Sequence, residues 1–260
     1  MLMRSDPNRL LDAAAFYESL RGRRATHLVT ERLKALLPDP ARKRILGLGY
    51  AQPFLAYWPG LASAGWVGSA RLKTSMTQRP PRLPDADWMR RDCIVASDCL
   101  PFDDLSLDVI LVVHGLELAG QAPLLRAAWK ALADDGVMVL VVPNRSGFWA
   151  HDDSTPFGYG TPYSAGQLDR LLARAMFRAE QTATVLAVPP PILRLGKRTA
   201  GFIDRIGCVA GRRLGGLHLV VARKDLYAGL PLQPEKATLP LPRQVADMAH
   251  ARRCSMREHS

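Results

Sequence analysis

Short apolar runs, separated by helical patterns, are the feature that most restricts how this chain can fold. Several runs are apolar at both alternating positions, which is the pattern of strands covered on both faces of a sheet. The runs lie at residues 44–49, 65–68, 93–96, 107–114, 137–142, 183–187 and 217–222. Helical spacing recurs between them at 121–132, at 164–176 with Ser164 as the N-cap, and at 193–210. This alternation predicts an α/β fold with a doubly wound, mostly parallel, seven-stranded sheet.

Two helical patterns precede the first predicted strand. One follows Asp6 and Pro7, which are typical of a helix N-cap and first turn, and the second covers residues 25–37. The predicted organisation is an N-terminal helical cover at 1–41, the α/β domain at 42–225 and a flexible, Pro-rich tail at 226–260.

The charge of the chain is strongly positive but uneven. With 35 Lys and Arg against 24 Asp and Glu, the net charge is +11, which leaves nucleic acid, an anionic membrane surface and an acidic ligand open as partners. Segments 1–44, 71–91 and 178–224 carry the surplus, whereas 92–144 is acidic. No nucleic-acid recognition motif accompanies the basic segments. We therefore interpret the surplus as a property of peripheral faces on a globular protein.

The cysteines indicate neither a disulfide framework nor a metal site. Cys93, Cys99, Cys208 and Cys254 have no CxxC spacing and no histidine at zinc-ligand spacing. We expect reduced thiols, no metal and a cytoplasmic location. The longest strongly apolar run, residues 109–113, is far too short to span a bilayer. The sequence leaves the oligomeric state open.

Three sequence blocks occur in an order that resembles a known family. Residues 45–51 read ILGLGYA, a strand that runs into a glycine turn, and residues 100–117 read LPFDDLSLDVILVVHGLE. Residues 125–136 form a helical pattern that ends in a Gly turn, and a strand ending at Asn144 follows. Together they resemble a class I S-adenosylmethionine-dependent methyltransferase of the type 11 sort, over roughly residues 42–225. Residues 143–150 and 155–168 resemble more specifically a proteobacterial subgroup of these proteins that carries a GLGYA loop.

The resemblance implies a Rossmann-like methyltransferase fold, S-adenosylmethionine as cofactor and methyl transfer to an unidentified small-molecule acceptor. It places His114, at the end of the fourth predicted strand, as the candidate catalytic residue, because ligands in doubly wound folds bind at the carboxyl ends of the strands. The cofactor-binding positions that it implies are Gly47, Gly49, Tyr50, Ala51, Ala70, Ser97, Asp98 and His114.

Carboxylates that the family uses to hold the cofactor are missing here. Gly47 stands where the first strand usually has an acid, Ala70 stands at the ribose-binding position, and Ala96 stands at the adenine-binding position with Ser97 and Asp98 close by. Loss of the ribose and adenine partners weakens affinity by roughly 10²–10⁴-fold unless other groups replace them. The alternative is a degenerate methyltransferase-fold protein without catalysis, acting as a binding or interaction module.

Other segments also allow two interpretations. His114 and Glu117 either act in a pocket or merely end a strand and begin a turn. The aromatic loop 148–163 is either a substrate lid or a packing loop, and its residues 151–153 are interpreted as a solvated loop. The segment 193–213 is either a packed insertion with a basic face or an amphipathic helix that meets RNA or membrane.

Overall fold

The computed structural model describes residues 13–73, 91–118, 121–190, 193 and 215–226. Residues through Ala228 form one compact unit. The predicted tail and nearly all of the basic segment 193–213 lie outside the described residues.

Five α-helices and seven strands are described. The helices are α1 (Ala13–Glu18), α2 (Leu20–Leu33), α3 (Gln52–Leu55), α4 (Gln121–Ala131) and α5 (Ala165–Arg174). The strands are β1 (Arg44–Gly49), β2 (Trp66–Leu72), β3 (Asp92–Val95), β4 (Leu107–Val113), β5 (Leu132–Pro143), β6 (Phe177–Val185) and β7 (Leu217–Lys224). Short 3₁₀ turns lie at Leu61–Ser63, Phe148–His151 and Pro156–Gly158.

The strands form one sheet in the order β3-β2-β1-β4-β5-β7-β6. Neighbours from β3 to β5 run parallel, whereas β7 runs antiparallel between β5 and β6. The seven-stranded, mostly parallel sheet confirms the predicted fold class.

Both faces of the central strands are buried under helices, which explains their apolar runs. On β1, Ile45 packs in the cluster that contains residues of α1, α2 and α3. The next residue, Leu46, packs in the cluster that contains residues of α4 and α5. Successive side chains of a strand point to opposite faces, so a strand between two helical layers must be apolar throughout.

The winding direction of the sheet reverses between β1 and β4. From β1 the chain proceeds to β2 and β3 on one side, and from β4 it proceeds to β5 on the other. Gly49 and Val113 face each other in register at the carboxyl ends of these two strands. Ligands of doubly wound folds bind in the crevice outside such a switch point.

The N-terminal helices are closely joined to each other and to this edge of the sheet. Ser19 ends α1 and caps α2, since its Oγ accepts from the Gly22 amide at 3.0 Å. A Cβ at Gly22 would lie 1.9 Å from the Phe16 carbonyl oxygen, so only glycine permits this approach. The predicted helix at 25–37 was placed too late, because the Ser19 cap starts α2 at Leu20.

The predicted start of α5 is confirmed in detail. Ser164 is the N-cap, and its side chain together with that of Gln167 forms a capping box. This helix packs on the face of the sheet opposite α1 and α2.

The turn at Gly49 should be a strong determinant of stability. Its φ is +80°, and a Cβ would lie 2.1 Å from the Val113 carbonyl oxygen. Gly49→Ala should therefore lower the free energy of unfolding by about 3 kcal/mol, measured by urea denaturation. Gly166→Ala is the control, because the nearest atom to a Cβ there is the flexible Arg170 Nη1 at 3.7 Å. It should be neutral or stabilising by up to about 1 kcal/mol, and equal losses in both variants would contradict the argument.

Candidate functional site

The glycine turn after β1 is sealed against the end of β4. The Tyr50 amide donates to the Val113 carbonyl oxygen at 2.7 Å, and Tyr50 is fully buried. Ala51, also buried, is the N-cap of α3, and Pro53 occupies the first turn of that helix. Gly47 allows α3 to pack closely, since a Cβ there would lie 2.6 Å from Leu55 Cδ1.

His114, the residue directly after β4, is fully buried and lies beside this turn. Its φ of +52° is in the left-handed region, a conformation that costs about 1–3 kcal/mol outside glycine. Both ring nitrogens are hydrogen bonded, Nε2 to the Tyr17 hydroxyl at 2.6 Å and Nδ1 to Glu117 Oε1 at 2.9 Å. These contacts hold the strained residue in place.

Tyr17, His114 and Glu117 thus form a buried chain of hydrogen bonds, in which Tyr17 and His114 are 97 residues apart in the sequence. The side chains of His114 and Glu117 are 0% exposed. These two hydrogen-bond partners assign the tautomer of His114. Nδ1–H donates to the Glu117 carboxylate, and Nε2 accepts from the Tyr17 hydroxyl. Glu117 Oε2 is buried and has no hydrogen-bond partner among the described residues. An uncompensated carboxylate oxygen of this kind is unusual in a simple core.

Aromatic rings surround Tyr17 on several sides. Its ring stacks on Tyr50 at 5.4 Å between centroids and 18° between planes. Phe54 and Phe157 meet it edge to face, at 5.7 Å and 6.4 Å. We call the space that the Tyr17 ring occupies between Tyr50, Phe54, Phe157 and His114 the Tyr17 socket.

The aromatic loop after β5 supplies one wall of this crevice. Phe157 lies 4.7 Å from the His114 ring, and Trp149 supports Phe157 while its Nε1 donates to the Val188 carbonyl. Gly160, with φ +84°, lies so close to Glu117 that a Cβ would be 2.4 Å from the Glu117 carbonyl oxygen. The loop therefore both packs the end of the sheet and borders the buried base.

A polar cluster at β2 and β3 was missed from the sequence. Asp92 accepts from Ser69 Oγ at 2.6 Å, from Gln52 Nε2 at 3.0 Å and from Arg71 Nε at 2.7 Å. Gln52 Oε1 is buried without a hydrogen-bond partner among the described residues. No local signal identifies this cluster, because it depends on the register that pairs Ser69 with Asp92.

The remaining positions that were predicted to bind the cofactor lie in different environments. Ala70 is fully buried on the face of the sheet opposite the Asp92 cluster and offers no polar side chain. Ser97 and Asp98 form the turn between Ala96 and Cys99, where Ser97 is half-buried and Asp98 is exposed. These two residues can therefore be reached from solvent beyond the end of β3.

Two polar side chains that follow β5 contact backbone carbonyl groups. Asn144 Nδ2 donates to the Gly215 carbonyl, and His151 Nε2 lies 3.0 Å from the Arg145 carbonyl. Within the described ranges, no three His, Cys, Asp or Glu side chains gather as metal ligands. In that same part of the chain, no helix has the length and apolarity that crossing a membrane requires.

The arrangement has the parts of a buried general base. A carboxylate orients a histidine, and the other ring nitrogen faces a hydroxyl, which is the geometry for accepting a proton from a bound O–H group. In the described structure that hydroxyl belongs to Tyr17.

Comparison with known proteins identifies the fold. No protein-family model matches the chain, and no curated protein matches it in sequence. A S-adenosylmethionine-dependent methyltransferase from Thermotoga maritima matches with a TM-score of 0.55 and 15% identity, covering 81% of this chain and 93% of that chain. One from Mesorhizobium loti matches with a TM-score of 0.51 and 18% identity, covering 80% and 100%.

A third match is geranyl diphosphate C-methyltransferase from Streptomyces coelicolor, solved with S-adenosyl-L-homocysteine. Its TM-score is 0.51 at 14% identity, and 75% of each chain is covered. At such low identities these likenesses establish the Rossmann-like methyltransferase fold.

Burial of the Tyr17 phenol predicts that the stability of the protein depends on pH. Burial, and after it the neighbouring Tyr50 and Glu117, raises the pKa of Tyr17 well above its ordinary value. In the unfolded chain this phenol ionises near pH 10. The stability that its burial contributes is therefore present below about pH 10 and is lost as the pH rises further. In urea denaturation at a series of pH values, the free energy of unfolding of the wild type should fall as the pH rises above about 10, and the fall should be smaller in Tyr17→Phe. Identical slopes in the two proteins would contradict the assignment.

Proposed function

We propose that this protein is a cytoplasmic S-adenosylmethionine-dependent methyltransferase that acts on a small molecule, of the subgroup with the GLGYA loop. The shared fold supports the proposal, and so does the order of the three sequence blocks. The observation that carries it is the pairing of the Gly49 turn with the buried His114 base at the switch point between β1 and β4. Doubly wound proteins bind their ligands at this point.

The polar atoms at this edge fit the cofactor in part. Gln52 Oε1 and Glu117 Oε2 are buried acceptors without hydrogen-bond partners in the described part of the chain, and the cofactor carries an ammonium group and ribose hydroxyls as donors. The backbone of Gly47, Gly49, Tyr50 and Ala51 would line the methionyl end, and Ser97 and Asp98 would meet the adenosine end. Ala70 supplies no polar side chain. Asp92 does not replace the missing ribose acid, because Ser69, Gln52 and both Nε and Nη2 of Arg71 already occupy its two oxygens.

The chemistry divides between the cofactor and the chain. When bound, S-adenosylmethionine supplies a methyl group on a good leaving group, so positioning contributes most of the rate. His114 Nε2 would take the proton of the acceptor, and Glu117 would hold Nδ1–H and stabilise the imidazolium that forms. The aromatic wall that includes Phe157 would exclude water from this base.

A binding module without catalysis is the second candidate. The absence of a carboxylate at Ala70 favours it, as does the Tyr17 ring lying against His114. A titration with cofactor separates the two candidates, because a module of this kind has no need to bind it.

Isothermal titration should show binding of S-adenosylmethionine and S-adenosylhomocysteine at micromolar affinity. Asp98→Ala should weaken this binding by roughly tenfold, since a hydrogen bond to a carboxylate contributes about 1.5–3 kcal/mol. His114→Gln should weaken cofactor binding by less than tenfold, because it keeps a polar side chain at the end of β4, and it should abolish methyl transfer to any acceptor that the wild-type protein methylates, because it removes the base.

Asp169→Ala is the matched control for Asp98→Ala. Asp169 is an exposed carboxylate on α5, on the other face of the sheet, so it makes the same charge change away from the proposed site. No binding of either compound up to millimolar concentration would overturn the methyltransferase proposal in favour of the binding module.

A further inference from the structure

We propose that the Tyr17 socket is the acceptor site for a phenolic ring, and that Tyr17 is its built-in occupant. The assignment of this ring as methyl acceptor rests on the proposed function. The Tyr17 side chain is itself a phenol, so its contacts indicate which ligand chemistry the socket can bind.

The walls of the socket select a flat ring. Tyr50 offers a face that stacks nearly parallel to the bound ring, at 18°. Phe54 and Phe157 offer edges at 83° and 82° to it. Offset stacking and edge-to-face contacts are favoured between aromatic rings, so these three side chains are arranged for an aromatic guest.

The end of the socket selects a hydroxyl group. The phenol oxygen lies 2.6 Å from His114 Nε2, and the carboxylate of Glu117 lies behind the histidine. An aromatic guest without the hydroxyl would leave Nε2 buried without a partner, which costs about 1–3 kcal/mol. The site therefore distinguishes phenols from simple arenes.

The occupant lies on a different element from the residues that form the walls. Tyr17 belongs to α1, whereas Tyr50 and Phe54 lie at the turn and helix after β1, Phe157 lies in the loop after β5, and His114 follows β4. Replacing the Tyr17 side chain therefore empties the socket without removing any of its walls.

Two features of the base are costly for a purely structural core. His114 is held in the left-handed region at φ +52°, and Glu117 Oε2 is buried without a hydrogen-bond partner among the described residues. Strained backbone and buried ionisable groups concentrate at sites that bind or react. They are explained if the histidine must present Nε2 to a ligand.

In the proposed transfer step, His114 accepts the phenol proton and the sulfur of the donor accepts the electron pair. The phenol proton passes to His114 Nε2 as the phenol oxygen forms a bond to the methyl carbon. The C–S bond of the donor breaks, and its electron pair stays on the sulfur, which leaves as a neutral thioether. The products are an aryl methyl ether and a protonated His114 that returns its proton to water.

The binding test compares two small molecules. One is p-cresol, which has the structure of the tyrosine side chain, and the other is toluene, which has the same ring and methyl group but no hydroxyl. The full chain is compared as Tyr17→Ala and as Phe177→Ala, which removes a buried ring from the opposite face of the sheet. Tyr17→Ala should bind p-cresol at least tenfold more tightly than toluene in calorimetry. Phe177→Ala should show no such preference, and an equal preference in both variants would overturn the proposal.

The activity test follows conversion of p-cresol to its methyl ether with S-adenosylmethionine. Tyr17→Ala should raise kcat/KM for p-cresol at least tenfold over wild type, because the resident ring no longer competes. If Tyr17→Ala does not fold, Tyr17→Phe serves instead, since it keeps the ring and drops the hydrogen bond to His114. Tyr17→Phe should raise kcat/KM for p-cresol about threefold, because its ring competes less strongly without the hydrogen bond to His114.

The outcomes separate this inference from the proposed function. A Tyr17 variant that binds S-adenosylhomocysteine but neither prefers nor methylates p-cresol overturns the phenol site and leaves the methyltransferase proposal standing. A variant that prefers p-cresol but binds no cofactor supports the site as a binding site and overturns methyl transfer at it.

Discussion

The hydrogen bond from the Tyr50 amide to the Val113 carbonyl is the constraint on which the candidate site depends. It joins the turn after β1 to the end of β4 at 2.7 Å, and it forms only because Gly49 adopts a left-handed conformation. This closure places Tyr50 under the Tyr17 ring. The same edge of β4 then carries His114 into the space between the turn and the aromatic loop.

Much of the fold was predictable, because burial on both faces leaves a direct mark on the sequence. The runs at β1 and β4 are apolar on both faces over residues 45–48 and 109–113, and they became strands with nearly the predicted limits. Ser164 identified the start of α5 because a capping box is a local pattern. The position of α2 was less accurate, since its first turn is polar and only the Ser19 cap fixes it.

The site was predictable only where it follows from position along one strand. His114 ends a strand at the switch point, and its neighbour Glu117 is three residues away, so both were recognised as candidates. The hydrogen bond between His114 and Tyr17 joins residues that are 97 positions apart. The hydrogen bonds that Asp92 accepts from Ser69 and Arg71 depend on the register between β2 and β3. Contacts of these two kinds are set by tertiary packing and leave no periodic signal in the sequence.

The burial of His114 determines what can replace the Tyr17 ring. With α1 in place, His114 Nε2 is satisfied by a phenol and its ring is shielded from water. A ligand that takes the place of the Tyr17 ring must supply the same hydrogen bond, or the buried nitrogen is left unpaired. Sites built to bond a hydroxyl discriminate against guests without one far more strongly than apolar pockets discriminate by size. The contact that closes the site therefore also fixes its selectivity.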